Sequence, residues 1–224
     1  MGRSALCAFP SGAGRAAALM ETTCSTGKMA DLWTSISVQN WHDALERYEE
    51  VVALQGVARL VALDRWYREE LPDTIASRQP PHVTLPELVH MTEWKMARGV
   101  WRAPNLILVR GNESRAVIET TSAALAAMPH ADTPIATIAK LAGVGPATAS
   151  AVAAAAAPSI YPFFDELVAA QIPQLGKVAW TLGYYARYAD AIRVRARELG
   201  EDWTPVMVER ALWSHAGGKA GARR

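Results

Sequence analysis

Two groups of residues have types and spacing suited to chemistry. Between Pro134 and Ala157, in PIATIAKLAGVGPATASAVAAAAA, a short predicted helix running to Ala142 meets Gly143-Val144-Gly145, and a second helix opens at Pro146. Two glycines around one aliphatic residue let the backbone turn sharply without a Cβ clash. The N–H groups left at the start of the second helix, with Thr148 in its first turn, suit a phosphate. Val144 is expected to point back between the helices, and the alanines to allow close packing. The second group is basic. Lys95, Arg98 and Arg102 stand three and four residues apart and line one side if the helix persists near Gly99. Trp94 and Trp101 interleave with them, as stacking residues would beside a polyanion. The alternative is that both tryptophans are core and the bases form a solvated face.

The elements that position these groups read as helical. Asn40 is placed to cap a helix with Trp41, Leu45, Tyr48 and Val52 on one face, ending at Gly56. A second helix is expected over 57–71, stopped by Pro72, and then a loop over 73–83. Thr84 opens a capping box with Glu87, with Pro86 in the first turn, and that helix ends at Gly99. Helices follow over 104–109 and 113–127, then a long one over 177–199 and a last one over 204–215. No run alternates with period two as a strand would. The expected fold class is all-α, with a helical domain over 33–216, a disordered or targeting leader over 1–32 and a frayed basic tail over 217–224. The leader is acid-poor, a thin version of an organellar transit peptide, and Met29 is an alternative start.

The chain has 224 residues, 50% of them hydrophobic and 20% charged, a composition that excludes a disordered or collagenous protein. No apolar run approaches the length of a membrane span. Only Cys7 and Cys24 occur, which excludes a disulfide core, a cysteine-rich zinc site and a four-cysteine iron–sulfur cluster. The net charge of +1 is unevenly spread: −4 over 40–75, +4 over 95–115 and +4 over 177–224. Such polarity can make one face attractive to a polyanion, though surface charge often segregates without purpose.

The Gly143-Val144-Gly145 turn, with Leu141 before it and Pro146 after it, reads as a helix-hairpin-helix over 134–157, which grips a nucleic-acid backbone without reading sequence. Here the chain resembles the helix-hairpin-helix DNA glycosylase superfamily, the endonuclease-III-like group. Leu141-Ala142-Gly143-Val144-Gly145 is similar to that family's LPGVG, with Ala142 in place of proline. The resemblance implies a catalytic aspartate after the hairpin, and Asp165 stands in that register, 20 residues beyond Gly145. The stretches TEWKMARG and FFDEL resemble an uncharacterised eukaryotic branch, the Amun-like proteins.

The resemblance implies a helical glycosylase-like fold, double-stranded DNA as partner, base-excision repair as the process and a monomer in the nucleus, with organellar targeting by 1–32 as the alternative. Asp165 would stabilise an oxocarbenium at the sugar of a flipped nucleotide. The apolar run ending at Phe164 would limit water there, and Phe164 joins Trp94 and Trp101 as a candidate pocket residue. The DNA-binding set would be Gly143, Val144, Gly145, Thr148, Lys95, Arg98 and Arg102. Family members that also cut the strand carry a lysine where this chain has Ala147, so the expected enzyme is monofunctional, hydrolysing the N-glycosyl bond without forming a Schiff base. No metal or other cofactor is expected, apart from a monovalent cation at the hairpin. By residue type alone, Asp165 is also a ready N-cap for a helix starting at Glu166. Two other readings stay open: a DNA-binding protein without catalysis, and a helical interaction protein whose glycines only serve packing.

Overall fold

The computed structural model describes residues 31–221, and these are helical with no strand among them. The elements are α1 (Val38–Glu46), α2 (Tyr48–Ala53), α3 (Leu60–Arg65), a π-helical turn (Trp66–Glu70), α4 (Leu71–Ala76), α5 (Leu85–Arg98), α6 (Ala103–Arg110) and α7 (Ser114–Ala126). They continue with α8 (Thr133–Ile138), α9 (Pro146–Ala156), α10 (Glu166–Ala169), α11 (Leu182–Leu199), α12 (Pro205–His215) and α13 (Gly218–Gly221).

The organising element is α9. Its side chains from Ala147 to Ala155 are all buried, because alanines let neighbouring helices approach on every side. α4, α5, α8 and α11 pack against it, while α12 is clasped by α1, α2 and α11. Two of the three tyrosines of α11 act through their hydroxyls. Tyr188 Oη donates to Phe163 O at 2.7 Å and Tyr185 Oη to Pro162 O at 3.4 Å, fixing the strap that leads into α10.

Local signals explain several boundaries. At the start of α5 the Glu87 carboxylate accepts hydrogen bonds from Thr84 N–H and Oγ1, both at 2.8 Å, and receives both Arg78 guanidinium nitrogens. Thr181 Oγ1 accepts from Tyr184 N–H, so α11 begins at Leu182 and not at Lys177 as its composition suggests. Asn40 does not cap α1. The helix starts two residues earlier, at Val38, and Asn40 Nδ2 donates to Ser35 Oγ instead. Pro72 does not stop its helix either. The π-turn ahead of it makes Pro72 the second residue of α4, and helix extends into the stretch expected as loop.

The expected leader lies outside the described residues as far as residue 30. From Asp31 the chain is packed: Asp31 Oδ1 accepts from Trp33 N–H at 3.0 Å, and Leu32 and Trp33 are buried. The expected tail at 217–221 is docked, not frayed. Gln55 bridges Gly217 O and Ala220 N–H, and Lys219 Nζ donates to Gly99 O.

Candidate functional site

The turn between α8 and α9 is held from both sides. Val144 N–H donates to Leu141 O at 3.1 Å, and Val144 is buried in the core as its sequence position suggests. Asn112 clasps the turn from outside, accepting from Ala142 N–H and donating to Ala142 O, each at 2.9 Å. The two glycines do different work. Gly143 has φ +73°, and a Cβ there would meet Asn105 O at 2.6 Å and Leu108 Cβ at 2.8 Å. Gly145 has φ −95° and open space where its Cβ would be. Among the described residues, the N–H groups of Gly145, Ala147 and Thr148 have no acceptor.

The residues that carry those amides line a cavity of about 540 Å³, a size in the ordinary range for small-molecule sites. The C-terminal end of α5, the start of α9 and the start of α10 enclose it. Asp165 is on its wall, with Gly145, Ala147 and Thr148 from the turn, Lys95 and Arg98 from α5, Arg102 from the next segment, and Phe163 and Phe164 from the strap. Asp165 is held firmly. Phe164 N–H donates to Ser150 Oγ of α9 at 2.9 Å, which fixes the backbone immediately before it. Asp165 Oδ1 accepts from Leu167 N–H at 2.8 Å, capping α10, and Oδ2 lies 3.3 Å from Arg98 Nε. The aspartate is thus both an N-cap and a cavity residue.

Arg98 departs from its expected role. It is 1% exposed, so its guanidinium cannot lie along a DNA backbone. It points inward to Glu209, itself 0% exposed, and donates to Tyr48 Oη at 3.1 Å. Arg68 and Asp64 complete this buried network, with Arg68 Nε 3.4 Å from Asp64 Oδ2. Burial pushes the Glu209 carboxyl up, against the pull of Arg98 and Arg68. Burial also works to raise Asp64, yet Arg68, Arg98 and the hydrogen bonds from Trp94 and Tyr48 hold it below its ordinary value. Trp94 likewise is core, not a stacking residue. Its ring stacks on Tyr67 at 3.7 Å and its Nε1 donates to Asp64 Oδ1 at 2.8 Å.

The remaining basic and aromatic candidates divide. Arg102 is exposed at the cavity. Trp101 is 46% exposed, but it lies under Arg59, 4.6 Å from the guanidinium carbon, and not on the cavity wall. Phe164 is buried among Tyr184, Tyr185 and Tyr188 while contributing to the wall. Lys95 also faces the cavity, and its amine has no hydrogen bond or ion pair among the described residues. Burial and the nearby Arg102 push that amine down to about 8, against the opposing charge of Asp165.

Trp180 and Lys219 are among the cavity residues that the sequence did not mark. Trp180 is 44% exposed, 4.9 Å from the Phe164 ring, and precedes α11 rather than joining its buried stripe. Lys219 reaches the cavity from α13. Thr181, a capping residue immediately after Trp180, was the available signal for the first. Nothing local marked the second. Among the described residues, no cluster of His, Cys, Asp and Glu is arranged to hold a metal, and no helix is long and apolar enough to cross a membrane. Comparison with family models, with curated proteins and with solved structures found no match.

Proposed function

We propose that the chain is a DNA glycosylase that removes a modified or mispaired base from double-stranded DNA by hydrolysis, with Asp165 as the catalytic carboxylate. The observation that carries this reading is that Asp165 and the residues with unbonded amides at the start of α9 line one cavity. Amides at a helix N-terminus favour phosphate, and a carboxylate a short distance away favours positive charge growing on the attached sugar. Arg102, exposed at the cavity, and Lys219 give it cationic charge suited to a polyanion. Arg98 contributes indirectly by orienting Asp165. On this reading the Gly143-Val144-Gly145 turn is a helix-hairpin-helix, Thr148 belongs to its phosphate-binding end, and the glycosylase-like fold is the frame for both.

One observation favours a second reading, DNA binding without catalysis: both Asp165 oxygens already have partners, Leu167 N–H and Arg98. A single experiment separates the two. The protein is incubated with duplexes carrying single oxidised, alkylated, deaminated or mismatched bases, and released base is measured beside duplex binding. Catalysis requires release that falls at least about a hundredfold in Asp165→Asn while binding persists. Binding with no release from any duplex supports the second reading. Absence of both removes DNA from the account.

A further inference from the structure

The cavity holds an amine that the hydrolytic reading leaves unused. Lys95 comes from the last turn of α5 and lines the cavity together with Asp165 and the start of α9, where Ala147 offers no nucleophile. The other lysine at the cavity, Lys219, is tied through its Nζ to Gly99 O. Lys140 and Lys177 are exposed and stand outside the cavity. Lys95 is thus the amine that is both enclosed and unbonded among the described residues.

We propose that Lys95 is an amine nucleophile for an aldehyde-bearing sugar phosphate, and that in DNA its electrophile is the open-chain C1′ aldehyde left once the base has been removed. The DNA half of this assignment rests on the glycosylase reading, whereas the amine chemistry does not. An amine must be neutral to attack, and two features of the cavity favour the neutral form. Burial withdraws solvation from the ammonium, and the charged groups around it, Arg98, Arg102 and Lys219 against Asp165 and Glu166, include more cations than anions. With the amine pushed down to about 8, roughly a quarter is neutral at pH 7.5, against about one part in a thousand for a solvated lysine.

The chemistry balances without an oxidant or reductant. The Lys95 nitrogen lone pair attacks C1′ of the aldehyde and the carbonyl oxygen takes up a proton. Loss of water from the carbinolamine gives an imine, protonated at nitrogen. The imine acidifies C2′–H, and the Asp165 carboxylate takes that proton. The electron pair left on C2′ forms the C2′–C3′ double bond as the C3′–O bond breaks, and the 3′ phosphate leaves with the bonding pair. One water then hydrolyses the imine, returning the amine of Lys95 and releasing an unsaturated aldehyde on the 5′ side of the break. The water lost in forming the imine is regained in this last step.

The test has two arms on the full chain at pH 7.5. In the first, 2-deoxyribose 5-phosphate and cyanoborohydride are added and modified lysines are mapped by peptide mass spectrometry. Lys95 should be alkylated at least about tenfold faster than Lys140 and Lys177. Equal or slower labelling overturns the proposal. In the second, a duplex with one natural abasic site is treated with borohydride. A covalent adduct mapping to Lys95, lost in Lys95→Arg and in Lys95→Met with both variants still folded, supports the DNA assignment. An adduct at another residue overturns it. Labelling of Lys95 by the sugar phosphate with no adduct to a bound abasic duplex keeps the amine and overturns the DNA electrophile. Excision of damaged bases with Lys95 unlabelled in both arms leaves the glycosylase reading standing and overturns this one.

Discussion

Arg98 Nε lies 3.3 Å from Asp165 Oδ2, and the same guanidinium reaches the carboxylate of Glu209 in the interior. The cavity aspartate is therefore anchored through one arginine to a buried anion on α12. Burial disfavours the charged form of Arg98, and the carboxylates of Glu209 and Asp165 together with Tyr48 outweigh it. The ring of Trp213 lies 4.4 Å from the guanidinium carbon.

Removing one member of that network should be far more damaging than removing two. Arg98→Met leaves Glu209 with only the longer 3.5 Å contact to Arg68 and should cost about 3–5 kcal/mol in urea denaturation. Adding Glu209→Met to the same chain removes the uncompensated charge and should recover a large part of that loss. A loss below about 1 kcal/mol for Arg98→Met would mean that the network is not an organising feature of the fold.

Gly143 and Gly145 should separate folding from binding. At Gly143, alanine meets the Asn105 carbonyl at 2.6 Å and a left-handed backbone, so Gly143→Ala should destabilise by more than about 1–2 kcal/mol. Gly145→Ala meets nothing within 4 Å and should leave the melting temperature unchanged. Its methyl enters the cavity beside the free amides, so it should weaken binding to all duplexes alike, since phosphate contacts carry no sequence information. Thermal melts and binding to two unrelated duplexes check both halves. Equal stability losses for the two alanines would contradict the different backbone roles.

Asp165 should show its capping role independently of any chemistry. Asparagine keeps an oxygen for Leu167 N–H and loses only the charge facing Arg98, whereas alanine loses both. Asp165→Ala should therefore be less stable than Asp165→Asn by about 1 kcal/mol. Identical stabilities would show that the 2.8 Å bond contributes nothing.

What was legible in the sequence was what is local. The Thr84–Glu87 box, the α7 boundaries and the tight glycine turn depend on residues within a few positions of one another, and they lie where the spacing puts them. The helix through Pro72 was not legible, because a π-turn has no compositional signature. Arg98 and Trp94 were misread for a reason the helix itself holds. Leu88, Met91, Trp94 and Arg98 follow one another at three- and four-residue spacing, and all four are buried. An arginine continuing an apolar stripe is an inward arginine when a buried acid is available. Glu209, among buried Val208, Leu212 and Trp213, was the sign of one. Lys219 had no such sign, since its place at the cavity depends on Gln55 clasping a segment 165 residues away.

Lys95 gives the prediction with the clearest sign. Its folded-state amine lies at about 8, against an ordinary value of 10.5, because burial and Arg102 disfavour the ammonium more than Asp165 favours it. Between those two values the unfolded chain binds more protons than the folded one, so this group makes stability rise with pH across that window. Below about pH 8 its cost is present in full, and above about 10.5 it vanishes. Lys95→Met removes the amine while keeping an unbranched apolar stem. The variant should be more stable than the parent at pH 7 by roughly 1–2 kcal/mol, a figure discounted for the cavity's opening to water. The gap should close as pH approaches 10.5. Arg98, Arg102, Asp165, Glu166 and Lys219 line the same cavity and are present in both proteins, so the difference between the two pH profiles isolates Lys95. Parallel profiles from pH 7 to 10.5 would mean that Lys95 is an ordinary solvated lysine. A stabilised variant that has also lost its aldehyde adduct is the result expected of a side chain kept in the cavity for its chemistry, at a cost to the fold.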